Sequence, residues 1–183
     1  MSHNILVVNG HPDPRPQRFC AALCDAYEEG ARARGCATRR LDVGALQISA
    51  LAASGAEGHG RNDPLSDLEQ AFRLLRAADR LAIVYPLWAD APPADLRQMF
   101  DFVARLGTHL RTPVESKEAR VLVTTALPGF FYRGKLKDES GDKLALSGVA
   151  PAEPIFIGAV EAISCVKRLD WLARVRGYGE ALS

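Results

Sequence analysis

His11 and Arg18 stand on either side of a stretch punctuated by Pro12, Pro14 and Pro16. Both side chains can donate to a phosphate oxygen, the imidazole through a single N–H and the guanidinium through a fork that meets two oxygens at once. A histidine at a strand end is also a common turn residue, and an arginine in a first helical turn is also a common surface charge, so spacing leaves both readings open. Trp88 lies between Pro86 and the pair Pro92-Pro93. Proline-fixed backbone that presents an aromatic ring suits a flat ligand, held by stacking and main-chain hydrogen bonds. The same tryptophan would also suit a core or a subunit interface. A third stretch of unusual turn chemistry runs from Thr124 through Ala126, Leu127 and Pro128 to Gly129.

Each of these stretches follows an apolar run. Ile5 to Val8, Leu81 to Tyr85 and Val121 to Thr125 are short and do not alternate, as suits strands buried on both faces of a parallel sheet. After the first, Phe19, Leu23 and Tyr27 recur at helical spacing. The three prolines delay that helix to about Gln17, and Gly35 closes it after Arg34. A helix that starts just after a central strand offers unpaired N–H groups and the positive end of its dipole, a seat for phosphate. Neither a GxGxxG nor a GxxxxGK[ST] loop is present, which disfavours a nucleoside triphosphate.

The remaining elements alternate. Ala37 to Asp42 reads as a short strand beside the first, with Thr38, Arg40 and Asp42 on its polar face, and residues 44–64 read as a surface loop with an exposed His59. Leu65, Leu68, Phe72 and Leu75 mark a helix from Pro64 to near Ala78, capped by Asp63 or Ser66. Another helix starts with Pro93 and carries Leu96, Met99, Phe100, Val103 and Leu106. Residues 130–150 read as loop with a short helix about Asp142 to Leu146. Pro154 to Val160 reads as a last strand, and Ile163, Val166, Leu169, Leu172 and Val175 as the apolar face of a closing helix that ends at Gly177. With right-handed crossovers this is an α/β fold: a single domain over residues 1–183, a doubly wound five-stranded parallel sheet of flavodoxin-like order 2-1-3-4-5 with helices on both faces. In that order a crevice opens at the carboxyl ends of strands 1 and 3, where residues 9–18, 85–93 and 124–134 converge.

Composition narrows the class. A net charge of +1 over 183 residues gives no basic face for nucleic acid. Arg32, Arg34, Arg39 and Arg40 read as a solvated cluster. No apolar run approaches the ~20 residues that span a bilayer, and Met1-Ser2-His3-Asn4 runs into a strand, so a cytoplasmic protein with no membrane insertion is expected. Cys20, Cys24, Cys36 and Cys165 form no CxxC pair. Reduced thiols and no metal are expected, with Cys20 and Cys24 on one buried helix face.

Three segments, ILVVNGHPDPRPQRFCAAL, YPLWADAPPADLRQMFDFV and VLVTTALPGFFYR, resemble the signature loops of the flavodoxin-like NAD(P)H quinone reductase family. IGAVEAISCVKRLDWLARVRGYG is similar to the end of its short bacterial members. The resemblance implies non-covalent FAD or FMN. Its phosphate would lie at His11, Arg18, Phe19 and Cys20, and its ring beside Pro86, Leu87, Trp88 and Ala89, with Thr124, Thr125, Ala126 and Leu127 at the pyrimidine side. It also implies NAD(P)H as hydride donor, a quinone or other small electrophilic acceptor, a homodimer, and Tyr132 as the active-site tyrosine, either as donor to the reduced ring or as a wall.

The chain departs from that pattern in places. Arg18 and Cys20 stand at usual Ser and Asn positions, Asp90 where a small or aromatic residue is usual, and Ala126-Leu127 where a glycine pair is common. Lys135, Lys137 and Asp138 occupy the region where some relatives place a histidine. Two functions follow. One is an NAD(P)H-dependent flavin oxidoreductase that reduces quinones by two electrons; the other is a member with a degenerate flavin site, acting as a binding or regulatory subunit. A small electron carrier is disfavoured, because such carriers are acidic.

Overall fold

The computed structural model describes residues 3–46, 48, 64–88, 90–111, 118–132, 146, 149 and 153–181. The elements run β1 (Asn4–Asn9), α1 (Phe19–Ala33), β2 (Ala37–Asp42), a 3-10 turn (Val43–Ala45), α2 (Pro64–Ala77), β3 (Arg80–Leu87), α3 (Ala94–His109), β4 (Ala119–Thr125), β5 (Ile155–Ile157) and α4 (Cys165–Glu180). The strands form one sheet in the order β2-β1-β3-β4-β5, and every pairing is parallel. The expected fold class and strand order are therefore observed.

Strand β1 lies at the reversal point, paired with β2 on one side and β3 on the other. Its apolar run serves two cores because successive side chains take opposite faces. Leu6 and Val8 pack with Leu68, Phe72 and Leu75 of α2 and Leu96, Met99 and Phe100 of α3. Ile5 and Val7 pack with Leu23, Cys24 and Tyr27 of α1 and Val175 of α4. Cys20 and Cys24 share that second core, as their one-turn spacing implies. Helices α1 and α4 meet through their glycines: a β-carbon on Gly30 would overlap the Arg176 carbonyl, and one on Gly179 the Tyr27 carbonyl.

Four expectations change. Helix α1 starts at Phe19, not Gln17, because Arg18 keeps extended backbone (φ −74°, ψ 140°). The last strand is confined to Ile155–Ile157. In α4 the inward line is Arg168, Leu172, Val175 and Gly179, so Val166 and Leu169, expected on the buried face, are 68% and 65% exposed. Arg168 takes the inward place that periodicity gave to Leu169, with its guanidinium over the Phe19 ring. The arginine cluster is also not uniformly solvated. Arg32 and Arg40 both reach the buried carboxylate of Glu28, and Arg40 also bonds Asp25 at 2.7 Å; a buried carboxylate requires such partners.

His59, Asp63, most of the proposed 142–146 helix, and Lys135, Lys137 and Asp138 lie outside the described residues. Among the described residues, no helix is long and apolar enough to cross a membrane. None of them form a metal-competent cluster of His, Cys, Asp or Glu.

Candidate active site

The carboxyl ends of β1, β3 and β4 open into a cleft of about 530 Å³, reached also by the start of α4. Its shape begins with the loop after β1, which is built two residues at a time. Asn9 Oδ1 accepts from the His11 N–H (3.2 Å), His11 Nδ1 from the Asp13 N–H (2.9 Å), and Asp13 Oδ1 from the Arg15 N–H (3.1 Å). Of the residues between, Gly10 donates its N–H to the Val84 carbonyl at 2.8 Å, and Pro12 and Pro14 have no N–H to satisfy. Such short side-chain-to-backbone bonds fix a loop that neither helix nor sheet could stabilise.

The loop thus consumes its own amides, and the open ones come next. The N-cap residue of α1, Arg18, makes no side-chain cap, whereas Ser164 caps α4 by accepting from Lys167 N at 3.3 Å. The first turn of α1 therefore has no side-chain cap, and its residues Phe19 and Cys20 line the cleft, where the helix dipole favours an anion. Arg18 Nε donates to Asp13 Oδ2 at 2.7 Å. The Arg15 guanidinium also grips Asp13, and it is the first cause holding the Asp13 carboxyl well below the usual carboxylate range.

His11 has its pKa lowered, first by burial and then by the nearby Arg18 charge. A neutral imidazole whose Nδ1 accepts a hydrogen bond carries its proton on Nε2. Its ring meets Trp88 edge-on, with centroids 5.7 Å apart. Trp88 itself is 54% exposed and belongs to neither core. It ends β3 in a tight turn, closed by Trp88 N to Ala91 O (3.2 Å) and Ala91 N to Trp88 O (3.0 Å). Asp90 takes a left-handed φ of 61° in that turn, a conformation that aspartate tolerates better than most residues.

Of the residues singled out from sequence, the cleft brings together His11, Arg18, Phe19 and Cys20 from the first loop and helix, Pro86 and Trp88 from the second loop, and Thr124 from the third. Cys20 Sγ lies 3.5 Å from Thr124 Oγ1, and burial pushes its thiol up to about 11, so it is no nucleophile at neutral pH. Leu87 does not line the cleft; it is buried in the core beneath α3. Thr125 is buried, and its hydroxyl donates to the Leu127 carbonyl at 2.7 Å. Ala126 and Leu127 are exposed beside the cleft and do not line it. Ala89 lies outside the described residues.

Tyr132 is the largest departure. Its ring stacks on Phe156, with centroids 5.9 Å apart, inside the core, and the tyrosine does not line the cleft.

Sequence reasoning missed Arg168. Its Nη2 donates to the Val160 carbonyl at 2.6 Å and its guanidinium lies 5.0 Å from the Phe19 ring centroid. That position places a second arginine, besides Arg18, on the cleft wall. Its only sequence signal was a cation at an inward helical position, visible once the phase of α4 is known.

A five-stranded sheet of this order, with its cleft at the β1/β3 reversal, defines a flavodoxin-like protein. The chain belongs to the Flavodoxin_2 family, described as the flavodoxin-like fold, which matches residues 3–162. No curated protein sequence matches it. Among solved structures it is similar to an NAD(P)H:quinone oxidoreductase from Methanothermobacter marburgensis, with a TM-score of 0.70 and 24% identity over 100% of this chain and 97% of the other. An NADH:FMN oxidoreductase in its apo form gives a TM-score of 0.65 at 17% identity, over 98% of this chain and 89% of the other. An FMN-dependent NADH-azoreductase from Bacillus anthracis, in complex with FMN, gives 0.61 at 9% identity, over 98% and 99%. At these identities the likeness is one of fold.

Proposed function

We propose that the protein is an NAD(P)H-dependent flavin oxidoreductase that reduces quinones or related small electrophiles by two electrons. The observation that carries this reading is the convergence of three anion-directed features on one cleft: the uncapped start of α1, the Nε2–H of neutral His11, and the guanidinium groups of Arg18 and Arg168. The residues present fit a phosphate-bearing planar cofactor, FMN or FAD. His11, Arg18 and Arg168 bring donors to the cleft, and Pro86 and the exposed Trp88 bring apolar wall, with Trp88 edge-on to the His11 ring. A flavin bound there would supply hydride acceptance from NAD(P)H and its return to an acceptor.

The chain's own part is to bind and orient. The first turn of α1, with Arg18 and Arg168, would hold the phosphate. Trp88, at the cleft wall, would lie against the ring. Thr124, which lines the cleft, would sit beside the ring, in a segment tied to the neighbouring strand end by Ala159 N to Leu127 O (3.0 Å) and Val160 N to Thr125 O (3.1 Å). Trp88 at the cleft and Leu127, Phe130 and Phe131 in the segment after β4 are exposed apolar side chains that suit the face of a homodimer.

A second reading, a degenerate flavin site in a binding or regulatory subunit, is favoured by one observation: Tyr132 is packed against Phe156 and not at the cleft. Visible spectroscopy of the purified protein, followed by NADPH and a benzoquinone, separates the two. A protein that takes up neither FMN nor FAD and oxidises no NADPH sinks the reductase reading.

A further inference from the structure

The ladder of bonds in the β1–α1 loop needs a fixed first link, and residues outside the loop provide it. Asn9 is fully buried, so its amide has no water to fall back on. Its Nδ2 donates to Asp42 Oδ1 at 2.8 Å, at the carboxyl end of β2. With the nitrogen committed there, Oδ1 is the atom turned to the His11 N–H. In the 3-10 turn that follows, Gly44 presses its backbone against the same loop. A β-carbon on it would stand 2.7 Å from the His11 carbonyl oxygen and overlap the Pro12 carbonyl. None of these three residues lines the cleft.

We infer that Asn9, Asp42 and Gly44 are positioning residues for the phosphate end of the cleft. Asp42 orients the Asn9 amide, the amide sets His11, and Gly44 lets the edge of β2 support the loop from behind. A residue larger than glycine at 44 displaces His11 and Pro12, and with them the approach to α1. The inference rests on the flavin reading of the cleft and adds to it the edge of β2 as the support that sets phosphate affinity.

The test compares two ligands by quenching of flavin fluorescence: riboflavin, which has the ring and no phosphate, and whichever of FMN or FAD the wild type takes. Asp42→Ala and Gly44→Ala are expected to weaken the phosphorylated flavin by roughly fivefold to tenfold, as loss of about one hydrogen bond's worth of positioning would. Riboflavin is expected to change by less than about twofold. Asp42→Asn, which keeps a carbonyl acceptor for Asn9 Nδ2, is expected to restore wild-type affinity. Folded variants that bind the phosphorylated flavin normally, or that lose both flavins equally, overturn the positioning role. If Gly44→Ala does not fold, Asp42→Ala decides, since Asp42 is only partly buried. A wild type that binds no flavin at all overturns the reading of the cleft, a result distinct from the failure of a variant.

Discussion

The imidazole of His11 accepts the backbone N–H of Asp13 through Nδ1, at 2.9 Å. That bond exists only while the ring is neutral, because a protonated imidazole has no acceptor. The structure thereby ties the charge of one side chain to the shape of the loop that contains it.

The pH dependence follows from the direction of the His11 shift. Its pKa is lowered from the ordinary 6.5 in the folded chain, so between the two values the unfolded chain binds more protons than the folded one. Stability from this residue is therefore full above 6.5 and is lost as pH falls toward the lowered value. NMR titration of the ring is expected to give a midpoint below 6.5. A midpoint above it would mean that the Nδ1 bond does not form in solution.

Arg168→Met retains length and removes charge. If its guanidinium meets phosphate, FMN affinity should fall by roughly tenfold or more, as for a charge-assisted hydrogen bond of about 1.5–3 kcal/mol. Riboflavin should be nearly unaffected, and raised salt should narrow the gap between variant and wild type. Equal weakening of both flavins would instead assign Arg168 to packing against Phe19.

Tyr85 is fully buried, and its hydroxyl has no partner among the described residues. Burial alone raises its pKa. Tyr85→Phe removes a polar group that gains nothing from folding, and should stabilise the protein by about 1 kcal/mol. Urea denaturation with an unchanged m-value would measure this; a loss of stability would show that the hydroxyl has a partner in solution.

Gly30→Ala adds a methyl where the Arg176 carbonyl already sits. Helices α1 and α4 must then separate, and a loss of about 1–3 kcal/mol is expected from overpacking. The effect should appear in thermal melts and should exceed that of Gly177→Ala on the same pair of helices, where a β-carbon meets open space.

Much of the fold was legible because the local signals agreed with one another. Ile5 to Val8 could only be a strand buried on both faces, and Ala37 to Asp42 has the bounds that its turn residues set. The lining of the cleft was legible where chemistry and backbone coincide, as at His11, Arg18 and Trp88. It was less so at Leu87 and Thr125, since alternation along a strand sends neighbours to opposite faces and a loop motif does not say which one turns inward. Tyr132 was placed through its distance from Thr125, yet the short segment between them packs the ring on Phe156. Arg168 depends on the phase of a helix far along the chain, which only packing against α1 determines.

The β1–α1 loop also constrains how its length can change. Side-chain acceptors at Asn9, His11 and Asp13 alternate with Gly10, Pro12 and Pro14, so the segment has a reading frame of two. Removing one residue would bring a proline to a position that must donate, whereas removing an acceptor–proline pair would leave the remaining links in phase. Variation in this loop should therefore proceed in even steps.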